Sequence, residues 1–165
     1  MHMPAINIIV ALPPEARPVN RHLGLVRDTR HHRYPLYRHA GISLVISGPG
    51  MDAASAAVTW LYVINAERNG DIWINLGIAG HPDHPLGEIF QANLIENMHT
   101  GQRWDLTTRD DIPCPSEGIC SVLQPVSSYG LNALVEMEAA GFYPSALQYT
   151  DASMIHCLKV VSDNR

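Results

Sequence analysis

Short apolar runs alternate along this chain with segments of helical periodicity. Ile6–Leu12 (INIIVAL) is β-branched and apolar on both faces, the pattern of a central strand covered on either side. Pro13 and Pro14 end it, because a central strand needs its N–H donors, and a helix is expected from about Glu15 with Pro14 near its first turn. Tyr34–Ala40 and Ile42–Ser47 read as two strands joined by a tight turn at Gly41. In SGPGMDAASAAVTWLYVINAERNG, the apolar residues Ala54, Ala57, Val58, Leu61 and Ile64 recur at helical spacing, with Asp52 near the positive end of the helix dipole and Asn69-Gly70 as the stop.

Ile72–Leu76 is a further strand, followed by a glycine-bearing loop at Gly77–Gly80, and Glu88–Ile95 is the next strand. At about residues 97–119 the chain turns polar and irregular, and a long functional or mobile loop is expected. ICSVLQPV reads as a short strand. LVEMEAAGFYPSAL begins as a strand and becomes a helix that Pro144 kinks or ends, and HCLKVVSDNR is a last strand. This alternation predicts one α/β domain over residues 1–165, built on a mixed, mainly buried sheet.

Composition narrows the functional classes. The 165 residues are 46 % hydrophobic, enough for a substantial core, and carry a formal net charge of -5. That balance argues against nucleic acid as a partner, and the basic stretch RDTRHHRYPLYRH reads as a solvated hairpin. No apolar run reaches the ~20 residues of a membrane helix and no signal peptide is visible, so a membrane is not expected as a partner. Cys114, Cys120 and Cys157 are odd in number and lack metal-type spacing, which fits reduced thiols in a cytoplasmic protein. His81 and His84 in HPDHP are spaced as metal ligands can be, but two prolines and the lack of a third nearby ligand favour a polar turn and no metal.

Three carboxylates stand at the ends of predicted strands. Glu15 follows the first, Glu138 follows Val135-Glu136-Met137, and Asp163 follows Leu158–Val161. If those strands are parallel, all three share one rim, where sites in open α/β sheets gather. Acidic residues also favour helix starts, so each one alone is equally well read as a dipole partner.

These residues resemble the nucleoside phosphorylase and nucleosidase superfamily, especially its methylthioadenosine/S-adenosylhomocysteine nucleosidase branch. The resemblance is carried by IIVALPPEARPV, LVISGPGMDAASAAVTWL, DIWINLGIAGHPDHPLGEIFQANLIEN, VEMEAAGFY and VVSDN, in the family's order. It implies a twisted mixed sheet flanked by helices. Family members continue into a further helix where this chain reaches Arg165, so the fold expected is the family's without that helix. The implied reaction is cleavage of a ribosyl–purine bond in a small-molecule nucleoside, without a cofactor, by a homodimer.

By the same resemblance, Glu15 activates the attacking water and Asp163, beside Ser162, protonates the purine. Glu138 holds the ribose hydroxyls, Met137 packs on the sugar within the segment that includes Glu136, and Ile78, Ala79 and Gly80 line the ribose and base. Such chemistry needs one carboxyl that keeps its proton and one that does not, hence two different environments. Asp163, after a hydrophobic strand, is expected to be the desolvated one and Glu15 the wetter one.

Gln124 and Pro125 stand where the family has an acid, and Tyr129, Phe142 and Tyr143 are the aromatic candidates for stacking on the base. Phosphorolysis remains the alternative, with Gly48, Gly50 and Arg17 as the phosphate-binding candidates. A nucleoside-binding remnant without catalysis is the third reading. A negative Glu15 would repel phosphate, which favours hydrolysis. Trp60 and Tyr62 cannot both face the core of one helix, so one of them is expected at a partner subunit.

Overall fold

The structure is a computed structural model that describes residues 3–126, 130 and 132–164. Tyr129, one of the stacking candidates, lies outside the described residues, as does Ser127. The elements in order are β1 (Ile6–Val10), α1 (Pro13–Leu23), β2 (Val26–Arg27), β3 (Leu36–His39), β4 (Ile42–Ile46), α2 (Met51–Ile64), β5 (Ile72–Gly80), β6 (Ile89–Asn97), β7 (Arg103–Asp105), β8 (Ser116–Ser121), β9 (Leu134–Glu136), α3 (Ala139–Ala146) and β10 (Ile155–Asp163).

β1 is central, as its uninterrupted apolar pattern predicts: it pairs in parallel with β4 on one side and β5 on the other. Ile8 and Val10 pack with Ala16 of α1, and Ile9 packs with the stripe Ala54, Ala57, Val58 and Leu61 of α2. Both faces of the strand are thus buried, one under each helix.

The strands run in the order β10-β6-β8-β9-β5-β1-β4-β3-β2, and β10 also pairs with β5. Strands β5, β10, β6, β8 and β9 therefore close on themselves, while β1, β4, β3 and β2 leave as an open sheet. Both parts use the same edge of β5. β1 holds it over Ile72–Asn75, and β9 meets it only at Gly80. Between these two attachments, among the described residues, that edge of β5 carries no partner strand.

Several elements differ from the sequence pattern. The expected loop at Gly77–Gly80 continues β5, because β10 pairs along it to Gly80. The stretch expected to be an irregular loop at about 97–119 contains β7, which pairs with Leu94–Glu96, and most of β8. Their periodicity is weak because β7 has only three residues, with just Trp104 partly buried. β9 runs antiparallel to β5, so the parallel arrangement supposed for the three carboxylate-bearing strands does not hold. Trp60 packs against Tyr34 and His31, and Tyr62 stacks on Tyr149 at 3.8 Å, so both aromatic rings of α2 are engaged within the chain. Pro144 lies inside α3, which ends two residues later. Among the described residues no helix is long and apolar enough to cross a membrane.

Helices α2 and α3 cross with their main chains in close approach. A Cβ on Gly141 would lie 2.0 Å from the Met51 carbonyl oxygen, a backbone atom that cannot swing aside. The Ser55 and Ser145 hydroxyls hydrogen-bond across the same crossing at 2.6 Å. Gly141→Ala is therefore expected to destabilise the fold by about 3 kcal/mol, the upper end for overpacking. Urea unfolding would measure it as a lower midpoint at unchanged slope.

Candidate active site

The gap on the edge of β5 opens into a pocket of about 240 Å³. Its wall collects residues far apart in the chain: Leu12 and Glu15, Pro49, Ile78–Gly80, Val122 with Pro125 and Val126, Glu136–Glu138, and Ser162 with Asp163. Glu15, Glu138 and Asp163 thus share one cavity even though β9 is antiparallel. They do so because β9 meets β5 at Gly80, the same level at which β10 ends in Asp163.

Glu15 is the third residue of α1, and its carboxylate turns back onto the strand ends. Oε2 accepts the Leu12 N–H at 2.7 Å, and Oε1 accepts the Ile78 N–H at 3.1 Å. The second bond satisfies β5 where a neighbouring strand is missing. Two backbone donors fix the carboxylate, and each oxygen keeps a further lone pair.

Glu138 reaches the pocket from the start of α3 and is 8 % exposed. Its Oε1 accepts the Gly50 N–H at 2.9 Å. Burial raises its pKa, and neighbouring Glu136 adds to the rise, against the opposing pull of Lys159. Met137 is half-buried in the wall beside it.

Glu136 does something different from its neighbour. It is buried, and its carboxylate is fully engaged by protein groups. Oε2 pairs with Lys159 Nζ at 2.8 Å and accepts the N–H groups of Glu138 and Ala139, at 3.0 and 2.9 Å. Oε1 accepts the Ser121 hydroxyl. Ser121 Oγ in turn accepts the Ala140 N–H at 3.0 Å. A carboxylate and a hydroxyl thus satisfy the first donors of α3, where the helix dipole favours negative charge. Glu136 holds the segment that presents Met137 and Glu138.

Lys159 was not singled out by sequence reasoning. It lies 1 % exposed on β10. Burial opposes its charge, but Glu136 and Glu138 outweigh that, and its pKa is raised. Burial likewise opposes charge on Glu136, yet Lys159 prevails and lowers its pKa. The signal was present in the strand's parity. Cys157, Lys159 and Val161 point to one face, and both flanking side chains belong to the core. A lysine in that register needs a buried anion. Cys157 beside it is inert: burial pushes its thiol up to about 12.

Asp163 ends β10 in an exposed position, not the desolvated one expected after a hydrophobic strand. The register of β10 against β5 shifts between Val161 and Asp163. Its Oδ1 accepts the Ser162 hydroxyl at 2.7 Å, and its carbonyl accepts the His81 N–H at 2.9 Å.

The proposed phosphate cradle is occupied by the protein itself. Gly48 N–H donates to the Ala11 carbonyl at 3.1 Å, Gly50 N–H to Glu138, and Pro49 has no N–H. Arg17 is exposed on α1 and is not part of the pocket wall. Phe142 and Tyr143 are core residues, 0 % and 3 % exposed, so neither ring reaches the pocket. Val122, Pro125 and Val126 make an apolar wall, and Gln124 is exposed outside it.

His81 and His84 gain a third neighbour that the sequence did not disclose. Ligand-type atoms of these two and Glu117, from β8, lie within 4.8 Å of one another. His81 Nδ1 accepts the N–H groups of Asp83 and His84, both at 3.1 Å, which puts the proton of the neutral ring on Nε2. A metal-bound imidazole has the opposite arrangement, donating its outer N–H. Burial, helped by His84, lowers the pKa of His81 and keeps it neutral. The cluster as it stands is a hydrogen-bonded turn that anchors the end of β10.

No protein-family model matches the chain, and no curated protein sequence does. Solved structures do. The chain is similar to a 5′-methylthioadenosine/S-adenosylhomocysteine nucleosidase of Helicobacter pylori with a TM-score of 0.81 and 15 % identity, over 99 % of this chain and 87 % of that one. It is similar to the nucleosidase of Colwellia psychrerythraea 34H, solved with adenine, with a TM-score of 0.80 and 19 % identity, over 98 % and 83 %. A mutant of Helicobacter pylori futalosine hydrolase aligns with a TM-score of 0.79 and 14 % identity, over 98 % and 86 %. The chain shares the mixed α/β fold of these structures.

Proposed function

We propose that this protein hydrolyses the N-glycosidic bond of a purine nucleoside or 5′-thio-nucleoside. The observation that carries this reading is the convergence of Glu15, Glu138 and Asp163 on one small cavity. The neighbours of the same fold are nucleosidases, one of them solved with adenine.

In this mechanism, water sits at the outer lone pairs of the Glu15 carboxylate. Glu15 takes one of its protons while the oxygen attacks C1′ of the ribose. The C1′–N bond breaks, its electron pair goes to the purine, and Asp163 delivers a proton to the ring. Glu15 ends protonated and Asp163 ionised, and exchange of one proton with solvent resets both. The oxocarbenium-like sugar lies between Glu15 and the base, as in glycosidases with two carboxyl groups. Glu138, with one oxygen fixed by Gly50, offers the other to the ribose hydroxyls, and Met137 and Ile78 bound the sugar on its apolar sides.

The charge around the cavity favours water over phosphate. Among the described residues, four acidic side chains line it and no Lys, Arg or His does. Lys159 behind the wall is committed to Glu136. An ionised Glu15 repels a phosphate dianion and leaves neutral water as the better nucleophile.

A panel of adenosine, inosine, methylthioadenosine and adenosylhomocysteine, with and without phosphate, tests the proposal. The expected result is free base and free ribose or thioribose at a rate independent of phosphate. A phosphate requirement with ribose 1-phosphate as product would establish phosphorolysis instead. Binding without turnover of any substrate would leave a nucleoside-binding protein and sink the catalytic reading.

A further inference from the structure

The carboxylate of Glu15 occupies the place where a side chain on residue 77 would begin. A Cβ added to Gly77 would lie 2.9 Å from Glu15 Oε1 and 3.5 Å from Lys159 Nζ, the residue it faces across β5 and β10. Nothing in the backbone requires glycine here, because Gly77 is not among the residues with positive φ. Glycine inside a strand costs entropy and packing, and where φ is ordinary it marks a close approach by another group. The approaching group is the carboxylate that also takes the Ile78 N–H.

We propose that Gly77 is a positioning residue for Glu15: its missing side chain is the seat of the carboxylate. This inference rests on the hydrolytic reading above for its catalytic consequence, though not for its geometry. A methyl at this place displaces the end of a flexible side chain and no backbone atom. Its structural cost is therefore small, and alanine at an ordinary strand φ also reduces the entropy of the unfolded chain. Its catalytic cost is large, since a misplacement of about 1 Å in a reacting group is worth ~10²-fold in rate.

Gly77→Ala should lower kcat by ~10²-fold with KM little changed, at a melting temperature equal to or above that of the parent protein. The backbone amide of Leu12 reports the same event far from the substitution. Its N–H is bonded to Glu15 Oε2, so its proton resonance should move in Gly77→Ala towards its position in Glu15→Ala. Gly118→Ala is the control, because a Cβ at Gly118 meets nothing within 4 Å. It should leave both turnover and the Leu12 resonance in place. An unmoved Leu12 resonance, or full turnover in Gly77→Ala when the parent protein is active, overturns the inference. A parent protein inactive on every nucleoside removes the hydrolytic reading instead, and the Leu12 resonance still decides where the carboxylate sits.

Discussion

Asp163→Asn should lower turnover of a purine nucleoside by ~10²–10⁴-fold, the usual contribution of a positioned general acid. Asparagine keeps the shape of the side chain and the hydrogen bond from Ser162, but it has no acidic proton to give to the departing base. Substrate affinity should change little, because the pocket wall is otherwise intact. The variant is most informative on a riboside whose leaving group needs no protonation, such as p-nitrophenyl riboside. Its cleavage should proceed at close to the parent rate in Asp163→Asn. Glu15→Gln should lose both substrates, because water must be activated whatever the leaving group. Equal losses of the two substrates in Asp163→Asn would show that Asp163 is not the acid, and near-parental purine turnover would remove it from the mechanism.

The second large effect is on stability. Lys159→Met leaves the Glu136 carboxylate buried without its cation, and breaking a buried pair in this way costs about 3–5 kcal/mol. Lys159→Met combined with Glu136→Gln should recover most of that loss, since an uncharged pair of similar volume removes the stranded charge. Urea unfolding of the single and double variants measures both.

The pH dependence follows from the directions of the shifts. Glu136 lies below its ordinary value of 4.5 in the folded chain, so its contribution is complete above 4.5 and lost as pH falls through the folded value. Lys159 lies above its ordinary value of 10.5, so its contribution is complete below 10.5 and lost as pH rises through the folded value. Glu138, raised by burial, acts in the opposite sense to Glu136 and stabilises only towards acid. In Lys159→Met, burial is opposed only by the hydrogen bonds from Ser121 and the Glu138 N–H, so the stability that Glu136 adds as pH rises past 4.5 should shrink. A Lys159→Met variant as stable as the parent at neutral pH would mean that the pair does not organise the start of α3.

How much of this was legible beforehand depends on the distance over which each feature is decided. The central strand Ile6–Val10, the alanine stripe of α2 and the hairpin at residue 41 were readable because their periodicity is local and their burial is two-sided or one-sided along the whole element. β7 was not readable, because a three-residue strand gains its order from pairing with β6. The continuation of β5 through Gly77–Gly80 was hidden for the same reason, since glycine suggests a loop until β10 is seen beside it.

The sequence by itself determined the α/β class, the positions of the three carboxylates at strand ends, and the elements that carry them, because turn chemistry and hydrophobic period act within a few residues. Only the tertiary structure decided that an antiparallel β9 still brings Glu138 to the same cavity, through closure of β10, β6, β8 and β9 back onto β5. It also decided that Lys159 is buried against Glu136, that Gly48 and Gly50 are spent on internal hydrogen bonds, and that Gly77 makes room for Glu15. Each of these is a contact between residues far apart in the chain. Pairing and desolvation act through space, and no local pattern of residues encodes which distant partner will meet them.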